Sequence, residues 1–204
     1  MKLFVTGIGT NVGKTLVSAI LTETLQADYW KPIQSGTIEG QDSLTVEKLI
    51  SNSKSTIHPE SYLLKEPLSP HYAAKIDGVE ILLNQFETPK TNNDLIIEGA
   101  GGILVPLNQY DFVIQIAQQC DAEVVLVIQN YLGCINHSLL SINYLLTNGY
   151  KLKYLVFNGD FEDEVKHIII SHAKGIKYIN IPFLKHINPQ SIANTATEIK
   201  QLLS

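Results

Sequence analysis

The run Gly7-Ile-Gly-Thr-Asn-Val-Gly-Lys-Thr15 sets three glycines, a lysine and hydroxyl side chains between a strand-like segment and a helical pattern. Glycines let a backbone turn tightly and aim its N–H groups inward, and a following helix adds partial positive charge at its start. That arrangement cradles phosphate. Lys14 would reach the terminal phosphates of a nucleoside triphosphate, and the Thr15 hydroxyl would ligate Mg²⁺. The common form of such a loop has four residues between its glycines, whereas five separate Gly7 from Gly13. The strand–loop–helix context still favours a phosphate loop over a plain glycine turn.

Further polar residues fall at the ends of apolar segments. Lys31 closes one in Trp30-Lys-Pro-Ile-Gln-Ser-Gly36. In open α/β sheets ligands gather at the carboxyl ends of strands, so Lys31 and Ser35 would face the phosphates; a surface lysine beside a proline turn is the equal alternative. Glu98 ends Leu-Ile-Ile-Glu-Gly-Ala-Gly-Gly102, an apolar run closed by an acid as in metal-holding strands of nucleotide enzymes. Asp42 opens a helical pattern, either as an ordinary N-cap or as a second metal donor. Asn130 to His137 forms a third loop whose Gly133 and Asn136 suit a helix start, and spacing alone favours a plain capped helix there. Cys134 reads as a small buried packing residue rather than a nucleophile. His71 and His137 have no partner acid or base in the pattern, and the other histidines have no metal spacing.

Alternating strand and helix patterns position these residues and predict a three-layer α/β fold with a mostly parallel central sheet. Strands are expected at Leu3–Thr6, Tyr29–Ile33, Asp94–Glu98, Glu123–Gln129, Lys153–Phe157 and Lys177–Ile181. Helices are expected at 14–26, 43–50, 79–86, 113–119, 136–146, 163–172 and 190–203. The first of these carries Leu16, Ile20, Leu21, Thr24 and Leu25 on one face. The stretch Ser51–Pro70 is irregular and reads as a surface excursion near the site. With 204 residues and neither repeats nor linkers, a single domain is expected.

Composition narrows the function classes. A net charge of −5 and no Lys/Arg run argue against a nucleic-acid face. No apolar run is long enough for a membrane span, and the amino terminus lacks a signal-peptide pattern. Two distant cysteines, Cys120 and Cys134, make neither a disulfide framework nor a metal motif. A soluble, cytoplasmic protein is expected.

Taken together, the motifs resemble the dethiobiotin synthetase family. Phe-Val-Thr-Gly7, Val-Gly-Lys-Thr15, Lys-Pro-Ile-Gln-Ser-Gly36, Glu-Pro-Leu-Ser-Pro-His71, Glu-Gly-Ala-Gly-Gly102 and Leu-Gly-Cys-Ile-Asn-His137 follow the family's order along the chain. The five-residue glycine spacing is also that family's, and Leu132–His137 discriminates it from generic phosphate-loop ATPases. The resemblance implies ATP- and Mg²⁺-dependent closure of a ureido ring on 7,8-diaminononanoate with CO₂. It passes through a carbamate and a carbamic-phosphoric anhydride, giving dethiobiotin, ADP and phosphate in biotin biosynthesis. Lys31 and Lys14 would be catalytic, with Thr15, Asp42 and Glu98 holding the metal. ATP would meet Asn11, Val12, Gly13, Lys14, Thr15 and Leu16, then Asp42, Glu98, Gly99, Ala100 and Gly101. Asn158 and Gly159 would lie at the adenine, flanked by Pro182, Phe183 and Leu184. Ser35 would contact the diamine or its carbamate. Gly133, Cys134, Ile135 and Asn136 would bind the substrate carboxylate across the interface of a homodimer.

The sequence departs from many members at Gly9 and Asn11, which stand in place of acids, at Tyr131 in place of a lysine, and at Gly159 in place of an acid. The alternatives are a partitioning-type or cobyrinate-amidation ATPase, or a nucleotide-binding module without catalysis. Gly9 lacks the second loop lysine of the partitioning type, 204 residues hold no glutaminase domain, and the retained Lys14, Lys31, Asp42 and Glu98 speak against lost catalysis.

Overall fold

A computed structural model of the chain describes residues 1–38 and 40–203. The first strand, β1 (Lys2–Gly7), is buried from its second residue on and lies at the centre of the sheet. It leads through the glycine loop into α1 (Lys14–Leu25), then β2 (Asp28–Trp30), β3 (Ile33–Ser35) and α2 (Asp42–Leu49). Two short strands, β4 (Ile57–His58) and β5 (Tyr62–Leu64), precede α3 (Pro70–Asp77) and β6 (Leu95–Gly102). The rest alternates regularly: α4 (Gln115–Gln119), β7 (Glu123–Gln129), α5 (Cys134–Thr147), β8 (Leu152–Asn158), α6 (Asp163–Ser171), β9 (Lys177–Ile181) and α7 (Pro189–Ile199).

Seven strands pair in the order β4-β2-β6-β1-β7-β8-β9, every pair parallel. Parallel sheets are covered on both faces, and Val124–Ile128 of β7 are accordingly fully buried. The chain moves one way across the sheet from β1 to β2 and the other way from β6 through β9. Right-handed crossovers then set α1 and α4–α6 on opposite faces. The loops after β1 and β6, which are adjacent strands, part toward opposite faces and leave a crevice at their carboxyl ends. Helix α1 packs on β6 and against α2 and α7, so even its Ser18, Thr22 and Thr24 are buried and its covered face is broader than the apolar pattern indicates. Among the described residues no helix is long and apolar enough to cross a membrane.

Some expected elements differ. The strand expected at Asp94–Glu98 runs on to Gly102, which puts Glu98 inside it. The strand expected over Tyr29–Ile33 breaks at Lys31-Pro32, because proline has no N–H for the ladder. The carbonyl of Pro32 instead accepts N–H bonds from Ser61 and Tyr62 at 2.9 and 3.0 Å, and Ile33–Ser35 leaves the main sheet to pair with β5. The helix expected over 79–86 is absent. Its place is taken upstream by α3, which starts with Pro70 at its first turn and stops at Gly78, whose φ of 70° is left-handed. Beyond it Ile81 and Phe86 are buried from a loop holding only a 3₁₀ turn at Leu83–Gln85. The irregular Ser51–Pro70 stretch contributes β4 to the sheet edge and β5 to the side ribbon.

Candidate active site

The loop after β1 presents its backbone rather than side chains to the crevice. Gly13 caps α1 in a left-handed conformation (φ 88°) with no side-chain cap, leaving the helix's first N–H groups open to an anion. Asn11 is also left-handed, at φ 60°. From behind, the Asn158 amide donates to the Val12 carbonyl at 3.0 Å and braces the loop from the end of β8. Lys14 lies along the loop, its Nζ donating to the Gly9 carbonyl at 3.1 Å. Burial lowers the Lys14 pKa to about 8; Glu98 opposes this and Lys31 adds to it. The lysine is therefore charged below pH 8 and neutral above. Phosphate favours the charged form, so ATP affinity should weaken as pH rises through 8, with proton uptake on binding near that pH. Calorimetry in buffers of different ionisation enthalpy reads this directly; affinity flat from pH 7 to 9.5 would refute it.

Beside the loop lies a charge cluster. The Lys31 ammonium, 5% exposed, donates to Glu98 Oε1 at 2.9 Å and forms an ion pair with Asp42. Burial opposes the charge on Lys31, but Glu98 and Asp42 outweigh it and hold its pKa above the usual lysine value. Thr15 Oγ1 donates to the same Glu98 oxygen at 2.9 Å, and the Tyr29 hydroxyl donates to the other at 2.9 Å. Asp42 is the first helical residue of α2 rather than its N-cap, a position held by Gln41. Its backbone N–H bonds Gln34 Oε1 at 2.9 Å, which leaves the carboxylate facing Lys31.

A cleft of about 820 Å³ opens over this cluster. Asn11, Gly13, Lys14 and Thr15 line it from the loop, Lys31 and Ser35 from the broken strand, Asp42 from α2, and Glu98, Ala100 and Gly101 from β6. The Ser35 hydroxyl is buried without a hydrogen-bond partner among the described residues. Val12, Leu16 and Gly99 pack behind the lining; a Cβ on Gly99 would come within 2.9 Å of the Phe4 ring. Asn158 ends β8 and Gly159 follows it, its N–H bonding the Ile181 carbonyl at 2.8 Å. Pro182, Phe183 and Leu184 follow β9, with Phe183 70% exposed.

Gly133–Asn136 are not in this cleft. They form the uncapped start of α5, Gly133 left-handed at φ 103° and Cys134 buried. A second cavity, about 420 Å³, lies between the loop's outer face and Tyr131 and His137. His137 does have a partner that spacing did not disclose, the Tyr131 hydroxyl at 2.8 Å, and His71 pairs with Ser69 Oγ at 3.1 Å. Sequence reasoning also missed Tyr29, which reads as one more apolar core residue of its strand, and Gln34. Pro67–Pro70, quoted above only as motif letters, form one wall of the cleft.

A parallel sheet with a glycine loop, a Lys-Thr pair opening the first helix and an acid within the neighbouring strand defines a P-loop nucleotide-binding enzyme. A family model described as an AAA domain matches residues 1–191. An ATP-dependent dethiobiotin synthetase of Cytophaga hutchinsonii is 52% identical over 190 residues, covering 93% of this chain and 89% of that protein. One from Lawsonia intracellularis is 40% identical over 204 residues, covering 99% and 98%. The chain belongs to the ATP-dependent dethiobiotin synthetase family. Among solved structures, a plasmid partition protein of Borrelia burgdorferi bound to AMPPNP aligns over 99% of this chain and 96% of that one, with TM-score 0.60 and 13% identity. A ParA family ATPase of Chlorobium tepidum gives 0.56 at 11% identity, covering 99% and 98%. These two share the fold, whereas the close sequence relatives are synthetases, which disfavours the partitioning alternative.

Proposed function

We propose that the chain performs ATP-dependent dethiobiotin synthesis, closing a ureido ring on 7,8-diaminononanoate with CO₂. The convergence of Lys14, Lys31, Asp42 and Glu98 on one phosphate loop carries the reading. One amine captures CO₂ and loses a proton to give a carbamate. A carbamate oxygen attacks the γ-phosphorus, the bond to ADP breaks, and a carbamic-phosphoric anhydride results. The second amine then attacks the carbonyl carbon and phosphate leaves with the C–O electron pair. A carbamate acylates poorly until its oxygen is part of a phosphate leaving group, so catalysis rests on positioning and on neutralising phosphoryl charge.

Lys14 and the loop N–H groups bind the triphosphate. Lys31, kept charged by its carboxylate neighbours, meets the charge that develops on the transferring oxygen. The Ser35 hydroxyl, unpartnered among the described residues, contacts the diamine or carbamate. Thr15, Asp42 and Glu98 offer hard oxygen donors that suit Mg²⁺; the two carboxylates already hold a cation, the Lys31 ammonium, and Thr15 bonds one of them. Bound there, the ion would supply charge neutralisation for the phosphates. Asn158 and Gly159 meet the adenine edge, and Pro182–Leu184 flank the base. The open amino terminus of α5, outside the phosphate cleft, receives the substrate carboxylate from a second copy in a homodimer. Two free, buried cysteines suit a reducing cytoplasm.

The test is ADP release with ATP, Mg²⁺, bicarbonate and 7,8-diaminononanoate. Turnover should require both the diamine and bicarbonate; turnover indifferent to the diamine would sink the synthetase reading.

A further inference from the structure

Glu98 is 1% exposed, and each of its oxygens is accounted for by a different kind of partner. Oε1 accepts from Thr15 and Lys31, both of which line the cleft. Oε2 turns the other way and accepts from Tyr29, a fully buried phenol in β2 that does not reach the cleft. Strand β2 pairs with β6 in the register Tyr29↔Ile96 and Trp30↔Ile97, so the phenol is carried up beside the carboxylate by the sheet itself. A carboxylate can rotate about its last bond and present either oxygen; a donor fixed on one oxygen removes that freedom.

We infer that Tyr29 is a positioning residue of the metal site: its hydroxyl anchors Glu98 Oε2 and thereby holds Oε1 toward Thr15, Asp42 and the phosphates. The assignment rests on the reading of Glu98 as a magnesium donor. Glu98 is held by the opposed pull of two groups, with Tyr29 behind and Lys31 with Thr15 in front. A cation held at Oε1 would share that oxygen with Lys31 and Thr15, while Tyr29 holds the other. Among the described residues the phenol has no other hydrogen-bond partner and does not line the cleft, so its contribution acts through Glu98.

Tyr29→Phe removes the hydroxyl and keeps the packed ring. The affinity for a non-hydrolysable ATP analogue is measured twice, with Mg²⁺ and with EDTA. The variant should lose about tenfold in the presence of Mg²⁺, as for other partners that orient metal ligands, and stay within twofold of the parent in EDTA. Affinities unchanged in both conditions, or reduced equally in both, would overturn the inference. Trp30→Phe provides the control for general damage to β2, because the indole donates at 3.1 Å to Pro59, away from Glu98. A metal-specific loss in Trp30→Phe as large as that in Tyr29→Phe would also overturn it. If the parent itself gains no affinity from Mg²⁺, the reading of Glu98 as a donor fails first and the inference falls with it.

Discussion

Replacing Lys31 with alanine should lower turnover by a factor of about 10³ while ATP still binds, a loss on the scale seen when one preorganised charge-stabilising donor is removed. The physical reason lies in how the ammonium is held. It is buried between Asp42 and Glu98, charged at any ordinary pH, and sits at the end of a strand that faces the cleft. Such a group needs no reorganisation as charge moves onto the transferring phosphoryl oxygens. Binding should suffer less, because the loop N–H groups and Lys14 remain. The variant also leaves Glu98 buried with Asp42 and without its counter-charge, and breaking a buried pair costs about 3–5 kcal/mol. Activity is therefore to be compared at a temperature where circular dichroism shows both proteins folded. Lys31→Met, which refills the space, should recover stability without recovering turnover. More than a tenth of parental turnover in a folded Lys31→Ala protein would refute the role.

That lysine also marks where the sequence stopped being sufficient. Strands β7 and β9 are legible to the residue, because a continuous or sharply bounded β-type run has one interpretation. The segment around Lys31 is harder: Tyr29 to Ile33 looks like one strand, and only the missing N–H of Pro32 redirects Ile33–Ser35 to β5. The expected helix at 79–86 fails for a related reason. Val79, Ile81, Leu82, Leu83 and Phe86 have spacing compatible with a helix, but the stop at Gly78 and the start at Ser69-Pro70 assign the helix upstream. Composition and spacing point to Glu98 and Lys14 but leave Asp42 between cap and ligand. The structure gives the cap to Gln41 and pairs the Asp42 carboxylate with Lys31 across a turn, a tertiary fact that spacing does not carry. The Tyr29 hydroxyl is hidden because a tyrosine in a buried strand reads as volume, and its one polar atom acquires meaning only from the strand beside it. Tyr131 and His137 meet because Gly133 turns the chain between them into α5.

Gly13→Ala should be the most damaging single-methyl change in the loop. Gly13 is left-handed at φ 88°, where an alanine costs about 1–2 kcal/mol in backbone strain. The added Cβ would also fall 2.1 Å from Asn158 Nδ2 and 3.2 Å from Asn158 Cγ. The Asn158 side chain can swing aside, but only by giving up its 3.0 Å bond to the Val12 carbonyl, the brace that holds the loop against β8. Relaxing Gly13 out of the left-handed region is no remedy, because that turn is what points the first N–H groups of α1 into the cleft. Strain and the lost brace add to a destabilisation of about 2–3 kcal/mol. ATP affinity should fall at least a hundredfold, roughly the 3 kcal/mol expected when several phosphate-facing N–H groups are misdirected. A double variant separates the two causes. Gly13→Ala with Asn158→Ala removes the collision but neither the strain nor the missing brace, so it should regain part of the thermal stability and little of the affinity. Because Asn158 is also assigned to the adenine edge, the reference is Asn158→Ala alone: a double variant within threefold of that single variant in affinity would show that the collision with Asn158, and not the handedness of the turn, is what the glycine is there to avoid.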